Sequence, residues 1–119
     1  MPEELKASVR KNDALAIIQF SGDVTTFAED IARDAYREAT RDGGRNLALD
    51  FSSCEYINSA GIAVVIGLVT EARRQDRRVF AFGLSSHYQK IFRMVGLADY
   101  MELCTSEDEA VQRTKPQVA

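Results

Sequence analysis

The run Asn46-Leu47-Ala48-Leu49-Asp50-Phe51, followed by Tyr56-Ile57-Asn58-Ser59-Ala60-Gly61-Ile62, constrains the fold more than any other part of the chain. It reads as a buried strand, a short loop and a serine at the mouth of an apolar helix. Arg45 to Phe51 forms the strand, with Leu47, Leu49 and Phe51 on one face. The helix runs from Ser59 to about Arg74. Its residues Ile62, Ala63, Val64, Val65, Ile66, Leu68 and Val69 make it apolar nearly all round, which predicts a largely buried helix. Arg73 and Arg74 at its C-terminal end suit the helix dipole.

The same alternation continues on both sides. Leu5 to Val9 predicts a short edge strand, Asn12-Asp13 a turn, and Ala14 to Phe20 a strong strand closed by Ser21-Gly22-Asp23. Thr25 or Thr26 can cap the next helix. Phe27, Ala28, Ile31, Ala32, Ala35, Tyr36 and Ala39 form its apolar stripe, Glu29 and Arg33 pair on its wet side, and Gly43-Gly44 stop it. Arg78 to Phe82 is a third strong strand. Ser85 or Ser86 caps a helix anchored by Ile91, Phe92, Met94 and Val95 and ended by Gly96. Asp99 to Cys104 is a short last strand, and Ser106 opens a final helix with Ala110 and Val111. Strands and helices thus alternate at intervals of about thirty residues, the βαβ pattern. The expectation is a single α/β domain over residues 1–119: a small mixed, mostly parallel sheet packed by about four helices. Its core spans about 5–113, with a frayed tail over 114–119.

Composition narrows the function classes. At 119 residues and 45% hydrophobic, the chain has enough for one core and too much for disorder. Its net charge of −3 disfavours nucleic acid as a direct partner, which would need a basic face. The opening Met1-Pro2-Glu3-Glu4 does not resemble a signal peptide, and no apolar run approaches the roughly 20 residues of a membrane span. Cys54 and Cys104 are the only cysteines, which fits a reducing cytoplasm. There is one histidine, His87, and no CxxC, HExxH or phosphate-binding GxxxxGK[ST] run. No metal, no cofactor and no enzyme activity is therefore expected. Glu71 to Arg78 is locally basic and reads as a solvated helix end. Cys54 reads as a small, partly buried side chain, and Ser85 and Ser86 as caps.

The serine at the helix mouth has two physical readings. Asn58 and Ser59 are ordinary helix-start residues, Asn58 as N-cap. Equally, a phosphate on Ser59 would meet the positive end of the dipole and free backbone N–H groups. Gly61, without a side chain, would leave access for a partner. Asp23 lies in a loop on the same side, as a turn residue or a rim contact.

Taken together these elements resemble the STAS domain, the family of anti-anti-sigma factors. Members show a strand followed by Asp-Ser-[Ser/Thr]-Gly-Leu or Ile opening an apolar helix, matched here by Asn58-Ser59-Ala60-Gly61-Ile62. A Gly-acidic turn after the second strand is matched by Gly22-Asp23. A Phe-x-x-x-Gly-Leu ending to the third helix is matched by Phe92-Arg93-Met94-Val95-Gly96-Leu97. The resemblance covers about residues 5–113. It implies an anti-sigma factor antagonist that works by partner switching. The unphosphorylated form binds an anti-sigma factor that is also a serine kinase, and so frees a sigma factor. Phosphorylation of the serine, here Ser59, weakens that binding, and a PP2C-type phosphatase restores it. The implied docking face comprises Gly22, Asp23, Asn58, Ser59, Ala60, Gly61 and Ile62, on a monomer or weak homodimer. In place of the family's aspartate this chain has Asn58, which can cap the helix but brings no charge, and Ala60 leaves Ser59 the motif's single hydroxyl. The alternative implication is a STAS scaffold or accessory subunit of a signalling or transport assembly that is never phosphorylated.

Overall fold

The computed structural model describes residues 4–115. The apolar runs pair as a five-stranded sheet in the order β1 (Lys6–Asn12), β2 (Leu15–Ser21), β3 (Asn46–Ser53), β4 (Arg78–Phe82) and β5 (Glu102–Leu103). β1 and β2 form an antiparallel hairpin that turns at Asp13, and every later pairing is parallel. The strand order follows the chain order because each parallel neighbour is reached by one crossover helix.

Three helices cover one face: α1 (Glu29–Ala39), α2 (Ser59–Arg74) and α3 (Ser86–Met94). Beneath them Leu47, Leu49 and Phe51 point into the main core. Phe20 stacks on Phe51 with centroids 5.6 Å apart, and Phe92 meets Phe51 edge-to-face at 5.7 Å. The opposite face is smaller. Leu15, Ile17, Ala48, Phe80 and Phe82 meet Ala110 and Val111 of α4 (Glu107–Arg113).

Several sequence expectations are corrected here. The first helix is preceded by a separate 3-10 turn, Thr26–Ala28, and neither Thr25 nor Ala28 makes a side-chain cap. The acidic pair Glu29-Asp30 sets the α-helical start instead, by its fit to the dipole. Phe27 therefore lies outside the helix and is 88% exposed. α1 ends at Ala39, and Thr40 to Gly43 form a turn beyond it. α2 is buried along one side only: Ile66 and Gly67 reach solvent, because a single sheet lies beneath it. In α3, Phe92 is the buried anchor and Ile91 is half-buried, while Met94 and Val95 are exposed. The last strand shrinks to two residues because Leu97–Asp99 form a 3-10 turn. The basic run is more than a solvated end. Arg77 donates to the Gly44 carbonyl at 2.9 Å, and Arg78 pairs with Glu102 at 2.8 Å, which ties α2 and β4 to their neighbours. Thr114 closes α4 through the Val111 carbonyl, and residues 116–119 of the expected tail lie outside the described residues.

Among the described residues Asp50 is the one buried charged side chain, at 3% exposure. Arg10 of β1 reaches it at 3.0 Å and Glu107 of α4 at 2.8 Å, and Asn12 also donates to Glu107 at 2.6 Å. Backbone and hydroxyl donors of Ser52 complete the Asp50 shell. One guanidinium thus joins the hairpin, the central strand and the last helix. Arg10→Ala leaves the Asp50 carboxylate buried without its cation, which should lower unfolding free energy by about 2 kcal/mol in urea melts. The Arg10 hydrogen bond holds the Glu107 carboxyl below its ordinary pKa. Stability from Glu107 is therefore fully present above about pH 4.3, the unfolded value, and is lost as pH falls through the lower folded value. Acid titration of wild type against Glu107→Gln should show the steeper loss in wild type.

Candidate functional site

The loops that follow β2, β3 and β4 gather at the C-terminal edge of the parallel strands, where α/β sheets commonly present their sites. β2 bulges between Gln19 and Ser21, and the chain turns at Gly22 with φ +102°, a conformation open to glycine. Gly22 is buried and donates to the Ser53 carbonyl at 3.2 Å. Val24 and Ile57 then form an isolated parallel bridge. Val24 donates to the Tyr56 carbonyl at 2.9 Å, and Asn58 donates to the Val24 carbonyl at 3.2 Å. From α3, the Tyr88 hydroxyl accepts the Ile57 N–H at 2.9 Å. The approach to α2 is thus held by the loop after β2 and by α3.

Asn58 is extended at φ −90°, and its side-chain oxygen accepts the Gly61 N–H at 2.8 Å. It is the N-cap, and Ser59 is the first helical residue, exposed to solvent. The cap uses the asparagine oxygen, so the Ser59 hydroxyl is not needed to hold the helix. The Ser59 and Ala60 N–H groups precede the first helical carbonyl that could accept them, and they face the mouth of the helix.

Gly61 does not play the part the sequence suggested. A Cβ there would lie 2.0 Å from the Val24 oxygen, so the missing side chain makes room for the neighbouring loop and not for a partner. Gly61 and Ile62 are buried, whereas Asp23, Asn58 and Ala60 are half-buried and Ser59 is exposed. Among the sequence-derived face residues, Gly22, Gly61 and Ile62 support the surface from beneath, and Asp23, Asn58, Ser59 and Ala60 reach it.

From Ala60 a groove of about 780 Å3 runs between α1 and α2, floored by Ala32, Ala63, Gly67 and Leu68 and edged by Glu29 and Arg33. Sequence reading missed this groove, which depends on how two helices pack. It also missed Phe27 and Tyr88. Phe27 fits the four-residue stripe read for α1, and only the 3-10 turn over Thr26–Ala28 takes it out of that period. Nothing in the sequence announces Tyr88. Cys54 lies below the loop, half-buried, with its thiol 3.5 Å from the Phe20 carbonyl. Burial pushes its pKa up to about 12, so it stays a neutral thiol. His87 is exposed on α3 against the Tyr88 ring.

The STAS domain family matches residues 6–110, and the chain belongs to that family. It is similar to the anti-sigma-B factor antagonist of Listeria monocytogenes, with 25% identity over 89 residues that cover 75% of this chain and 78% of the relative. In fold it is similar to an anti-sigma factor antagonist from Mycobacterium paratuberculosis, with TM-score 0.80, 16% identity and coverage of 95% and 96% of the two chains. It is also similar to the Bacillus cell fate determinant SpoIIAA in its phosphorylated form, with TM-score 0.68, 21% identity and coverage of 92% and 99%.

The Gly61–Val24 contact yields a sharp expectation. Gly61→Ala must push α2 away from the loop, at a cost of about 2–3 kcal/mol, because the obstacle is backbone. Asn58→Ala should cost about 1 kcal/mol, and Asn58→Asp should restore the cap. Thermal melts of the three variants, which should rank Gly61→Ala lowest and Asn58→Asp near wild type, check both.

Proposed function

We propose that this protein is an anti-sigma factor antagonist that switches partners through phosphorylation of Ser59. The observation that carries the reading is an exposed hydroxyl at the first position of α2, on a helix start capped independently by Asn58. Phosphorylation there adds about −1.5 to −2 charges at pH 7 without removing any contact that the fold uses. The helix mouth accommodates the charge, so the domain keeps its shape. The change is felt by whatever covers the surface. A docked protein would have to desolvate the phosphate, a penalty of several kcal/mol unless it offers its own cations.

The names of the relatives support the same assignment, with an anti-sigma factor as the partner. The partner we propose is an anti-sigma factor with serine kinase activity, and a PP2C-type phosphatase would reset the switch. Asp23, Asn58, Ser59 and Ala60 would form the contact around the acceptor, with Gly22, Gly61 and Ile62 holding its shape. This chemistry belongs in the cytoplasm, where ATP and the transcription machinery are found. Among the described residues no helix is long and apolar enough to cross a membrane.

Phosphopeptide analysis of the protein isolated from its own host, in growth and under stress, tests the reading. The expected outcome is a phosphate on Ser59 whose occupancy changes with condition. Ser59→Glu should weaken binding to the anti-sigma factor at least about tenfold, and Ser59→Ala should keep it. A Ser59 that stays unmodified in every condition would leave a STAS scaffold as the better account.

A further inference from the structure

Two large aromatic side chains stand in solvent on the two segments that meet at the start of α2. Phe27 is 88% exposed and Tyr56 50% exposed. They flank one backbone junction: Tyr56 immediately precedes Ile57, Phe27 lies three residues beyond Val24, and Val24 and Ile57 are the bridged pair that seats α2. The exposure of Phe27 follows from its neighbours. Val24 and Ala28 are each 1% exposed, so both ends of this segment are fixed in the core. A 3-10 turn sets successive side chains about 120° apart, and with Ala28 directed inward Phe27 is directed out. The ring therefore forgoes the burial that drives folding, and the fold has no use for it.

We infer that Phe27, with Tyr56 as the lesser contact, anchors the partner by entering an apolar recess on it. The inference rests on the switching role proposed for Ser59. A protein that engages Ser59 covers about 800 Å2 of this surface at standard interface size, and the loop bearing Phe27 packs against the start of α2. Exposed aromatic rings near the centre of such a patch are the usual source of binding energy. This placement also explains how a small modification could control a large contact. A partner that closes over both Ser59 and the ring must expel water from the patch between them, and a phosphate on Ser59 would resist that desolvation. The anchor supplies affinity and the serine supplies its control.

The test uses the serine kinase that Ser59→Ala retains from host extract, identified and then produced pure. It is titrated calorimetrically with the full-length wild type and with Phe27→Ala, Phe27→Lys, Tyr56→Ala and Ser59→Glu. Phe27→Ala should weaken binding about thirty-fold, a hot-spot loss, and Tyr56→Ala by less. Phe27→Lys, tolerated at an exposed position, should abolish binding while circular dichroism and melting temperature match wild type. If wild type and Ser59→Ala bind, Ser59→Glu does not, and both Phe27 variants bind within twofold of wild type, the anchor is overturned and the switch stands. If neither wild type nor Ser59→Ala binds any kinase, the switch and the anchor fall together.

Discussion

The contact between Gly61 and the Val24 carbonyl determines where everything else at this end of the molecule lies. No side chain fits between them. With α2 pressed onto the loop after β2, the backbone of Val24 becomes a short strand partner for Ile57, and Asn58 arrives in the extended conformation from which its side chain can cap the helix. Ser59 is then outside the cap and above the core. A residue larger than glycine at 61 would loosen all three arrangements at once, because they share one backbone junction.

The placement is also supported from below. The aromatic cluster of Phe20, Phe51 and Phe92 ties together the ends of β2, β3 and α3, which carry or brace the site loops. Tyr88, one turn from Phe92, reaches the Ile57 N–H from that anchored helix. A core packed at crystal-like density does not deform gradually. Charge added at Ser59 would therefore be expressed as a change of surface and not as a change of shape, as the proposed switch requires.

The sheet was legible in the sequence because its strands are dense in apolar residues and separated by strong turn residues. Ala14 to Phe20, Arg45 to Phe51 and Arg78 to Phe82 lie within a residue or two of β2, β3 and β4. The start of α2 at Ser59, capped by Asn58, was readable for the same reason: capping chemistry is local. What escaped was tertiary. Periodicity assigned Phe27 to a buried stripe, but a 3-10 turn broke the period just before α1. Met94 and Val95 have the composition of anchors, yet Phe92 alone of that helix's large apolar residues is fully buried and these two are exposed. Gly61 was singled out correctly as a glycine with a purpose, yet the purpose depends on a loop 37 positions earlier in the chain, which one-dimensional spacing does not reveal.

The substitution of asparagine for aspartate at 58 bears on the switch through electrostatics. An aspartate there would cap the helix equally well while placing a negative charge beside the acceptor serine. Asparagine keeps the capping oxygen at 2.8 Å from the Gly61 N–H and leaves the helix mouth uncharged. A phosphate on Ser59 would then meet the dipole and the Ser59 and Ala60 N–H groups without a neighbouring carboxylate to oppose it. Within this chain the unmodified face is less negative, and under the proposed switch the modified one would be better stabilised, so the contrast between the two states would rest more fully on the phosphate itself.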